Sequence, residues 1–143
     1  MTSFAIAFHR ERPIDARALR VLYNSVDWWP ERQEEEIAQV LSNDLAIGAW
    51  DKNQLIGFAR VVSDQCFHAY IEDVVVHPDY QHKGIGNLLL RALLEKLQHI
   101  ETITLFCQTE LIPFYEQLGF RAFPSQQIMH QKGALYYRHT SET

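Results

Sequence analysis

Residues 81–86 read Gln81-His82-Lys83-Gly84-Ile85-Gly86 and lie between a hydrophobic strand, residues 71–76, and an amphipathic helix that opens at Gly84. Two glycines two positions apart allow a tight backbone turn in which several amide groups point the same way. The helix that starts there adds its own unpaired amides and the positive end of its dipole. The stretch therefore predicts a site for phosphate oxygens, to which Lys83 adds a full positive charge.

This turn differs from the two common phosphate-binding motifs. It is not a Walker loop, because no Gly-Lys-Ser/Thr follows. The spacing of its glycines also excludes the dinucleotide-binding fingerprint. A purely structural alternative is that Gly84 and Gly86 only cap a strand-to-helix turn.

Two longer segments extend the pattern. The segment 74–86 resembles the acyl-CoA-binding motif of the GNAT superfamily of N-acyltransferases, Gln/Arg-x-x-Gly-x-Gly/Ala after a Val-x-Pro turn. The block Pro113-Phe114-Tyr115-Glu116-Gln117-Leu118-Gly119-Phe120 resembles the family's other signature. The two motifs stand in the family's order and at about its spacing. The resemblance runs from about residue 4 to about residue 132 and is weakest in the first third.

Composition limits the classes of protein. A chain of 143 residues with 47% hydrophobic content suits one globular domain, expected to span residues 1–143. A net charge of −5 argues against nucleic acid as a partner. No apolar run approaches the roughly 18 residues of a membrane span, so no membrane partner is expected. Cys66 and Cys107 are the only cysteines, and the N-terminus has no signal-peptide pattern. We therefore expect reduced thiols and a cytoplasmic location.

Hydrophobic periodicity predicts an alternation of strands and helices. Strands are predicted at 4–8, 45–50, 55–62, 67–76, 102–106, 120–123 and 127–131, and helices after Pro13, after Pro30, at 84–98 and at 110–118. This order indicates a mixed α/β sheet. The GNAT resemblance implies a mostly antiparallel sheet of six or seven strands, flanked by about four helices and splayed open between strands 4 and 5. The aromatic tail at 135–138 is expected to pack on this chain or on a partner.

The resemblance also implies where acetyl-CoA binds. The backbone of Val74 and Val76 would pair with the pantetheine arm as if the arm were an added strand, which needs the unpaired backbone groups that a splay provides. A backbone amide there would stabilise the oxyanion of the tetrahedral intermediate. At position 108 the family often has Asn, so the longer Gln108 puts one pantetheine contact in question. The expected acetyl-CoA-binding residues are Val74, Val75, Val76, Gln81, His82, Lys83, Gly84, Ile85, Gly86 and Gln108.

Two residues are candidates for catalysis. Tyr115 matches the family tyrosine that protonates the departing thiolate, and a phenol with its usual pKa of about 10 keeps its proton at neutral pH. The alternative for Tyr115 is a core aromatic residue. Glu72 is our candidate general base, because strand alternation places residues 68, 70, 72, 74 and 76 on one face beside the acyl-binding stretch. The alternative for Glu72 is a solvated or salt-bridged acid. Alternation turns Asp73 to the opposite face, where it could pair with a basic neighbour.

Aromatic residues are candidates for the acceptor site. Trp28, Trp29 and Tyr70 could hold an ammonium group by cation–π attraction, since the loop between the first two helices covers the acceptor in this superfamily. The alternative, which we favour for at least one tryptophan, is that they close the core. Seven histidines suggest a metal, but Pro78 and the turn between His77 and His82 make a metal site improbable.

The sequence therefore predicts an N-acetyltransferase that uses acetyl-CoA as cosubstrate and no metal. A primary amine, preferably on a small molecule, would attack the thioester directly without a covalent enzyme intermediate. One alternative is a peptide or protein acceptor. Another is a CoA-binding sensor module without catalysis. A homodimer is left open, because many relatives dimerise.

Overall fold

The structure is a computed structural model that describes residues 4–131 and 133. Internal contacts divide the chain into two compact units, Met1–Phe106 and Cys107–Thr143, which are described separately. The single domain expected over residues 1–143 stays a prediction. The aromatic tail at 135–138 lies outside the described residues.

The first unit is built on a twisted sheet whose strands follow one another in chain order. These are β1 (Ala5–Phe8), β2 (Leu45–Asp51), β3 (Gln54–Ser63), β4 (His68–Val76) and β5 (Thr102–Thr104). Neighbours from β1 to β4 pair antiparallel, and β5 pairs parallel to β4. The mixed, mostly antiparallel α/β class is therefore confirmed.

Three helices belong to this unit: α1 (Ala16–Ser25), α2 (Glu34–Asn43) and α3 (Ile85–Lys96). The start of α1 is set by Asp15, whose carboxylate accepts a hydrogen bond from the Arg17 amide at 3.3 Å. At the start of α2, the Gln33 amide donates to the Glu36 carboxylate at 2.8 Å. At the start of each helix, a carboxylate thus accepts a hydrogen bond from a backbone amide that has no partner within the helix.

The helices cover the two faces of the sheet. Tyr23 of α1 meets Phe58 of β3 edge to face, with ring centroids 6.1 Å apart, in a buried cluster that includes residues of α2. The next position, Gly57, faces the other way. A Cβ on Gly57 would lie 3.1 Å from side-chain atoms of both Ile85 and Leu89. The missing side chain therefore lets α3 lie close against the second face.

The sheet opens between β4 and β5. The two strands pair only at His68↔Thr102, Ala69↔Ile103 and Tyr70↔Thr104, whereas β4 continues to Val76. No strand of the described residues pairs with this side of β4 beyond Tyr70. The predicted splay between strands 4 and 5 is therefore confirmed.

The second unit contains α4 (Ile112–Glu116), which follows a 3₁₀ turn at Thr109–Leu111. The chain turns away at Gly119, whose φ of 94° favours glycine. The strands predicted at 120–123 and 127–131 were wrong, because the described part of the unit forms no strand there and the described sheet has five strands. Pro124 has no backbone amide to donate to a strand ladder, and Met129 in the second predicted strand is 90% exposed.

Candidate active site

A short 3₁₀ turn, Pro78–Tyr80, follows β4, and the loop 81–86 then leads into α3. Its geometry is fixed by local hydrogen bonds. The Asp79 amide donates to Nδ1 of His77 at 3.1 Å, and the side-chain amide of Gln81 donates to the carbonyl of Val76 at 3.0 Å. His82 adopts a left-handed backbone with φ 64°. His77 thus lies in the turn before the loop and shapes its backbone.

Gly84 stands directly before α3 with φ 84°, a backbone conformation that residues with a side chain rarely adopt. A Cβ at this position would meet no atom within 4 Å, so a side chain would not clash here. Glycine is required only because of its backbone conformation. Residues 81–84 are all exposed. The loop therefore presents the first amides of a twelve-residue helix and the ammonium group of Lys83 to solvent.

Neighbouring residues hold this loop in place. Ile85 is 1% exposed, so its side chain anchors α3 in the core and only its backbone can face a ligand. Val75 is likewise buried, in the cluster that contains Phe58. Val74 and Val76 are half-buried. The anchored side chains of Ile85 and Val75 fix the backbone on either side of the turn.

A β-bulge interrupts β4 in front of these valines. Val75 pairs with Phe58 and Glu72 pairs with Arg60, so Asp73 and Val74 together oppose the single residue Ala59. Asp73 has φ 56°, which produces the extra residue. The prediction that Glu72, Val74 and the residues before them share one face was wrong, because the bulge reverses the alternation at this point.

The bulge brings both acids to one arginine. Nε of Arg60 donates to Oδ2 of Asp73 at 2.7 Å, and Nη2 of Arg60 lies 3.9 Å from Oε2 of Glu72. The prediction that Asp73 turns to the opposite face was therefore wrong. The alternative that it pairs with a basic neighbour is confirmed. The acids differ in access to water, because the side chain of Asp73 is 3% exposed and that of Glu72 is 38% exposed.

Asp73 is the centre of a polar cluster under α1 and α2. Its Oδ2 also accepts from the Tyr23 hydroxyl at 3.0 Å and lies 3.5 Å from Nη1 of Arg32. Arg60 reaches a third carboxylate, Asp44, at 2.7 Å. Burial would lower the pKa of Arg60, but its contacts with Asp73 and Asp44 outweigh burial and raise it. Burial, and then Asp73, raise the pKa of Tyr23.

Sequence reasoning missed the arginines of this cluster. One pattern pointed to Arg60, a single charged residue in the otherwise apolar run 55–62. A buried arginine needs a carboxylate partner, and Glu72 and Asp73 occur on the next strand. Arg32, Arg60 and Glu36 also line a pocket of about 200 Å³ beside α2.

The tryptophans lie against the core cluster, as we expected for at least one of them. The rings of Trp28 and Trp29 are 5.0 Å apart, and Trp29 meets Tyr23 edge to face at 5.3 Å. The guanidinium of Arg32 lies 3.6 Å from the centre of the Trp29 ring. A cation of this chain therefore already covers the face that we had assigned to an acceptor ammonium.

Tyr70 belongs to a different group of rings. It stacks on His68 with centroids 5.0 Å apart and contacts Phe106 at 5.6 Å. The proposed acceptor residues are thus divided between the α1–α2 loop, which carries Trp28 and Trp29, and β4, which carries Tyr70.

The second unit holds two of the predicted site residues. Tyr115 is 7% exposed and contacts Phe114 and Phe120 edge to face at 5.0 and 6.0 Å. Burial, and to a smaller extent Cys107, raise the pKa of Tyr115 to about 12. Its hydroxyl therefore keeps its proton at neutral pH. Gln108 is exposed and immediately precedes the 3₁₀ turn.

The described residues contain neither a metal-binding group of side chains nor a membrane-spanning helix. Residues 4–131 and 133 contain no group of three or more His, Cys, Asp or Glu side chains placed to hold a metal ion. Within the same residues, no helix has the length and apolar character that crossing a membrane requires.

The sequence model of the acetyltransferase (GNAT) family matches residues 9–120. The chain belongs to this family. GNAT acetyltransferases use acetyl-CoA and act on amine acceptors. The mixed sheet and its splay are thus those of a GNAT domain.

Individual relatives agree with this GNAT assignment. The chain is 36% identical over 118 residues to "Uncharacterized N-acetyltransferase ycf52" of Gracilaria tenuistipitata var. liui, covering 78% of this chain and 64% of the relative. It is 34% identical over 133 residues to histone acetyltransferase TAP1 of Glycine max, covering 83% of this chain and 57% of the relative. The chain thus spans less than two thirds of the length of either curated relative.

A solved structure shows the same fold. The GNAT family protein SP0256 from Streptococcus pneumoniae TIGR4 superposes with a TM-score of 0.79 at 23% identity, covering 92% of this chain and 99% of the other. At this identity the similarity concerns the fold alone.

Proposed function

We propose that this GNAT chain transfers an acetyl group from acetyl-CoA to a primary amine, with a small-molecule amine as the favoured acceptor. The observation that carries the proposal is the exposed loop 81–84, which ends in the left-handed Gly84 at the start of α3. Backbone amides at a helix start, together with Lys83, suit the pyrophosphate of CoA. Membership of a family that uses acetyl-CoA supports the same ligand.

The remaining acetyl-CoA-binding residues extend from this loop. The backbone of Val74 and Val76 lies on the side of β4 that β5 leaves open, where an extended pantetheine arm can pair as an added strand. In the same proposal, Gln81, His82 and Gly86 line the phosphates, and Gln108 contacts the arm. Val75 and Ile85 contribute by their backbone, because their side chains are buried.

The proposed reaction needs one base and one acid. Glu72 takes a proton from the ammonium form of the acceptor, directly or through water, and the neutral amine attacks the thioester carbonyl. The zwitterionic tetrahedral intermediate collapses to the amide and expels the CoA thiolate, which Tyr115 protonates, while the second proton lost from the former amine nitrogen passes through water to the resulting tyrosinate. The partial exposure of Glu72 supports the first role, and the protonated Tyr115 hydroxyl supports the second.

Two other functions remain as candidates. The name of the Glycine max relative, a histone acetyltransferase, favours a protein acceptor. A CoA-binding sensor would bind CoA and leave every amine unmodified.

We also infer a reducing, cytoplasmic compartment, because Cys66 and Cys107 are both exposed free thiols.

Calorimetry with CoA tests the loop. We expect Gly84→Ala to weaken CoA binding at least tenfold, because the loop backbone must change where φ is 84°. Gly119→Ala is the matched control, since Gly119 has φ 94° and equally open surroundings outside the loop. Each variant should lose about 1 kcal/mol of stability. Equal CoA affinity in the two variants would contradict the proposed phosphate site.

Thiol release from acetyl-CoA, measured with a panel of amines, then tests transfer. Tyr115→Phe keeps the ring in its aromatic contacts but removes the proton donor. We expect kcat to fall at least tenfold while the affinity for acetyl-CoA stays within twofold. A wild-type rate in this variant would leave Tyr115 with a packing role only. An absence of turnover with every small amine and basic peptide would favour the sensor.

A further inference from the structure

The pocket of about 200 Å³ beside α2 contains two guanidinium groups that are held very differently. We call it the α1–α2 pocket, and its walls are formed by Tyr23, Arg32, Glu36, Ile37, Val40 and Arg60. Arg60 lies on β3, whereas Arg32 lies in the loop that precedes α2. A concave site with an apolar wall and a few polar groups is the usual form of a small-molecule site.

Arg60 is fixed in the pocket, and Arg32 is not. The guanidinium of Arg60 donates to Asp73 and to Asp44, at 2.7 Å each. Among the described residues, Arg32 has one ion-pair partner, Oδ2 of Asp73 at 3.5 Å, and that oxygen already accepts from Arg60 and from the Tyr23 hydroxyl. The side chain of Arg32 is 35% exposed, against 13% for Arg60. Arg32 is therefore the cation that leaves the pocket most easily.

The position that the Arg32 guanidinium occupies attracts cations in general. Its central carbon lies 3.6 Å from the centre of the Trp29 ring and 5.9 Å from that of the Tyr23 ring. The carboxylate of Asp73, 3% exposed, lies on the same side. Two aromatic rings and a shielded carboxylate favour a positive charge at this point, whether it belongs to the chain or to a ligand. We call this point the cation position.

The surrounding polar cluster favours a cation over an anion once Arg32 has turned away. With Arg32 in place, three carboxylates meet two guanidinium groups, which leaves one negative charge. Without Arg32, the same carboxylates meet Arg60 alone, which leaves two. Glu36 adds a further acid at the wall of the pocket. A cationic ligand therefore restores the balance that the departure of Arg32 disturbs.

We propose that Arg32 is the gate of the acceptor site. In the free protein its guanidinium fills the cation position on Trp29, and an acceptor binds by placing its ammonium group there instead. The ammonium then lies beside Asp73, the neighbour in sequence of the proposed base Glu72. Because only molecules in which Arg32 has turned away bind the acceptor, the apparent affinity is reduced in proportion to their fraction. This inference rests on the proposed function and makes Arg32 a specificity-determining residue.

Kinetics with the most active amine of the panel test the gate. We expect Arg32→Ala to lower the KM of the amine at least fivefold and to leave the KM of acetyl-CoA within twofold. Arg32→Lys restores a cation and should return the KM of the amine towards the wild-type value. Arg12→Ala is the matched control, because the Arg12 guanidinium lies 4.1 Å from the Trp50 ring, outside the pocket. An unchanged or raised KM of the amine in Arg32→Ala would overturn the proposal.

Tetramethylammonium, which has no N–H group to acetylate, tests the gate without catalysis. Aromatic faces bind quaternary ammonium ions, so we expect Arg32→Ala to bind tetramethylammonium at least fivefold more tightly than the wild type in a nuclear magnetic resonance titration. Arg12→Ala should bind it as the wild type does. Adding Trp29→Leu to Arg32→Ala should abolish the gain, because leucine has no π face.

The outcomes separate this inference from the proposed function. If no amine is acetylated but Arg32→Ala gains an affinity for tetramethylammonium that depends on Trp29, acetyl transfer fails and the cation position stands. If amines are acetylated but Arg32→Ala changes neither the KM of the amine nor the affinity for tetramethylammonium, the gate is overturned and acetyl transfer stands. A gain in affinity that survives Trp29→Leu would also overturn the assigned position.

Discussion

The loop 81–86 and the bulged strand β4 are adjacent in sequence, yet they are determined in different ways. Residues 81–86 are shaped by the bond from Gln81 to the Val76 carbonyl, five positions away, and by the left-handed Gly84, while the turn before them is also tied to β2 by the Tyr80 hydroxyl, which donates to Asp51 at 2.6 Å. The acidic face of β4 depends on residues that are 13 to 50 positions from Asp73 in the chain. Tyr23 and Arg60 contact Asp73 directly, and Asp44 contacts Arg60. Local rules thus set the first region, and tertiary contacts set the second.

Asp73→Asn tests the tertiary side of this comparison and has the largest expected effect. The variant tolerates the left-handed backbone but removes one of the two carboxylates that lie 2.7 Å from the largely buried Arg60, so we expect about 3 kcal/mol less stability. Asp27→Asn is the matched control, because Asp27 is exposed and has φ 61°. Its stability should change by about 0.5 kcal/mol at most. Urea unfolding of both variants measures the two losses of stability. Equal losses would contradict the claim that tertiary contacts determine this region.

Glu72→Gln tests whether the bulge serves catalysis as well as stability. Gln keeps the size and removes the basicity, so kcat should fall about tenfold at low pH, where the amine is chiefly ammonium, and less at high pH. The pH–rate profile of one amine measures this effect, provided that chemistry limits turnover. Glu35→Gln, on the exposed part of α2, should reproduce the wild-type profile. If the Glu72→Gln profile also overlays the wild-type profile, another group accepts the proton from the amine. His68 and Tyr70 are then the next candidates for the general base.

Gln81→Ala tests the local side and has the smallest expected effect. It removes one exposed hydrogen bond to the Val76 carbonyl, which should lower stability by about 0.5 kcal/mol and CoA affinity two- to fivefold. Gln98→Ala, an exposed position at the other end of the α3 region, should change neither quantity. A tenfold or greater loss of CoA affinity in Gln81→Ala would sharpen the comparison, because a single local bond would then govern the loop.

The sequence predicted the features that local chemistry determines. The glycine pair, the preceding strand and the periodicity of α3 sufficed to place the loop. The mixed α/β class followed from the order of strands and helices, the splay followed from the family resemblance, and both are confirmed. The loop depends on backbone preferences that its residues carry with them in any surroundings.

Features that need a distant partner were not predictable in this way. Alternation along β4 assumed a regular ladder, whereas the register with β3 inserts an extra residue at Asp73. The two strands expected after Phe120 have suitable patterns, but a pattern does not supply a neighbouring strand. Trp29 offered a cation–π face, and only the structure shows that Arg32 covers it. Each error concerned a partner that sequence spacing alone does not reveal.

The open side of β4 has a consequence for misassembly. A strand that lacks a neighbour can pair with a strand of another molecule and start edge-to-edge aggregation. Here the open side runs only from Ile71 to Val76, and the bulge at Asp73 interrupts it after two residues. The three residues that follow, Val74 to Val76, are too few for a foreign strand to form a long regular ladder. A short, flexible ligand arm needs only a few backbone partners, so the bulge admits such an arm and discourages a foreign chain.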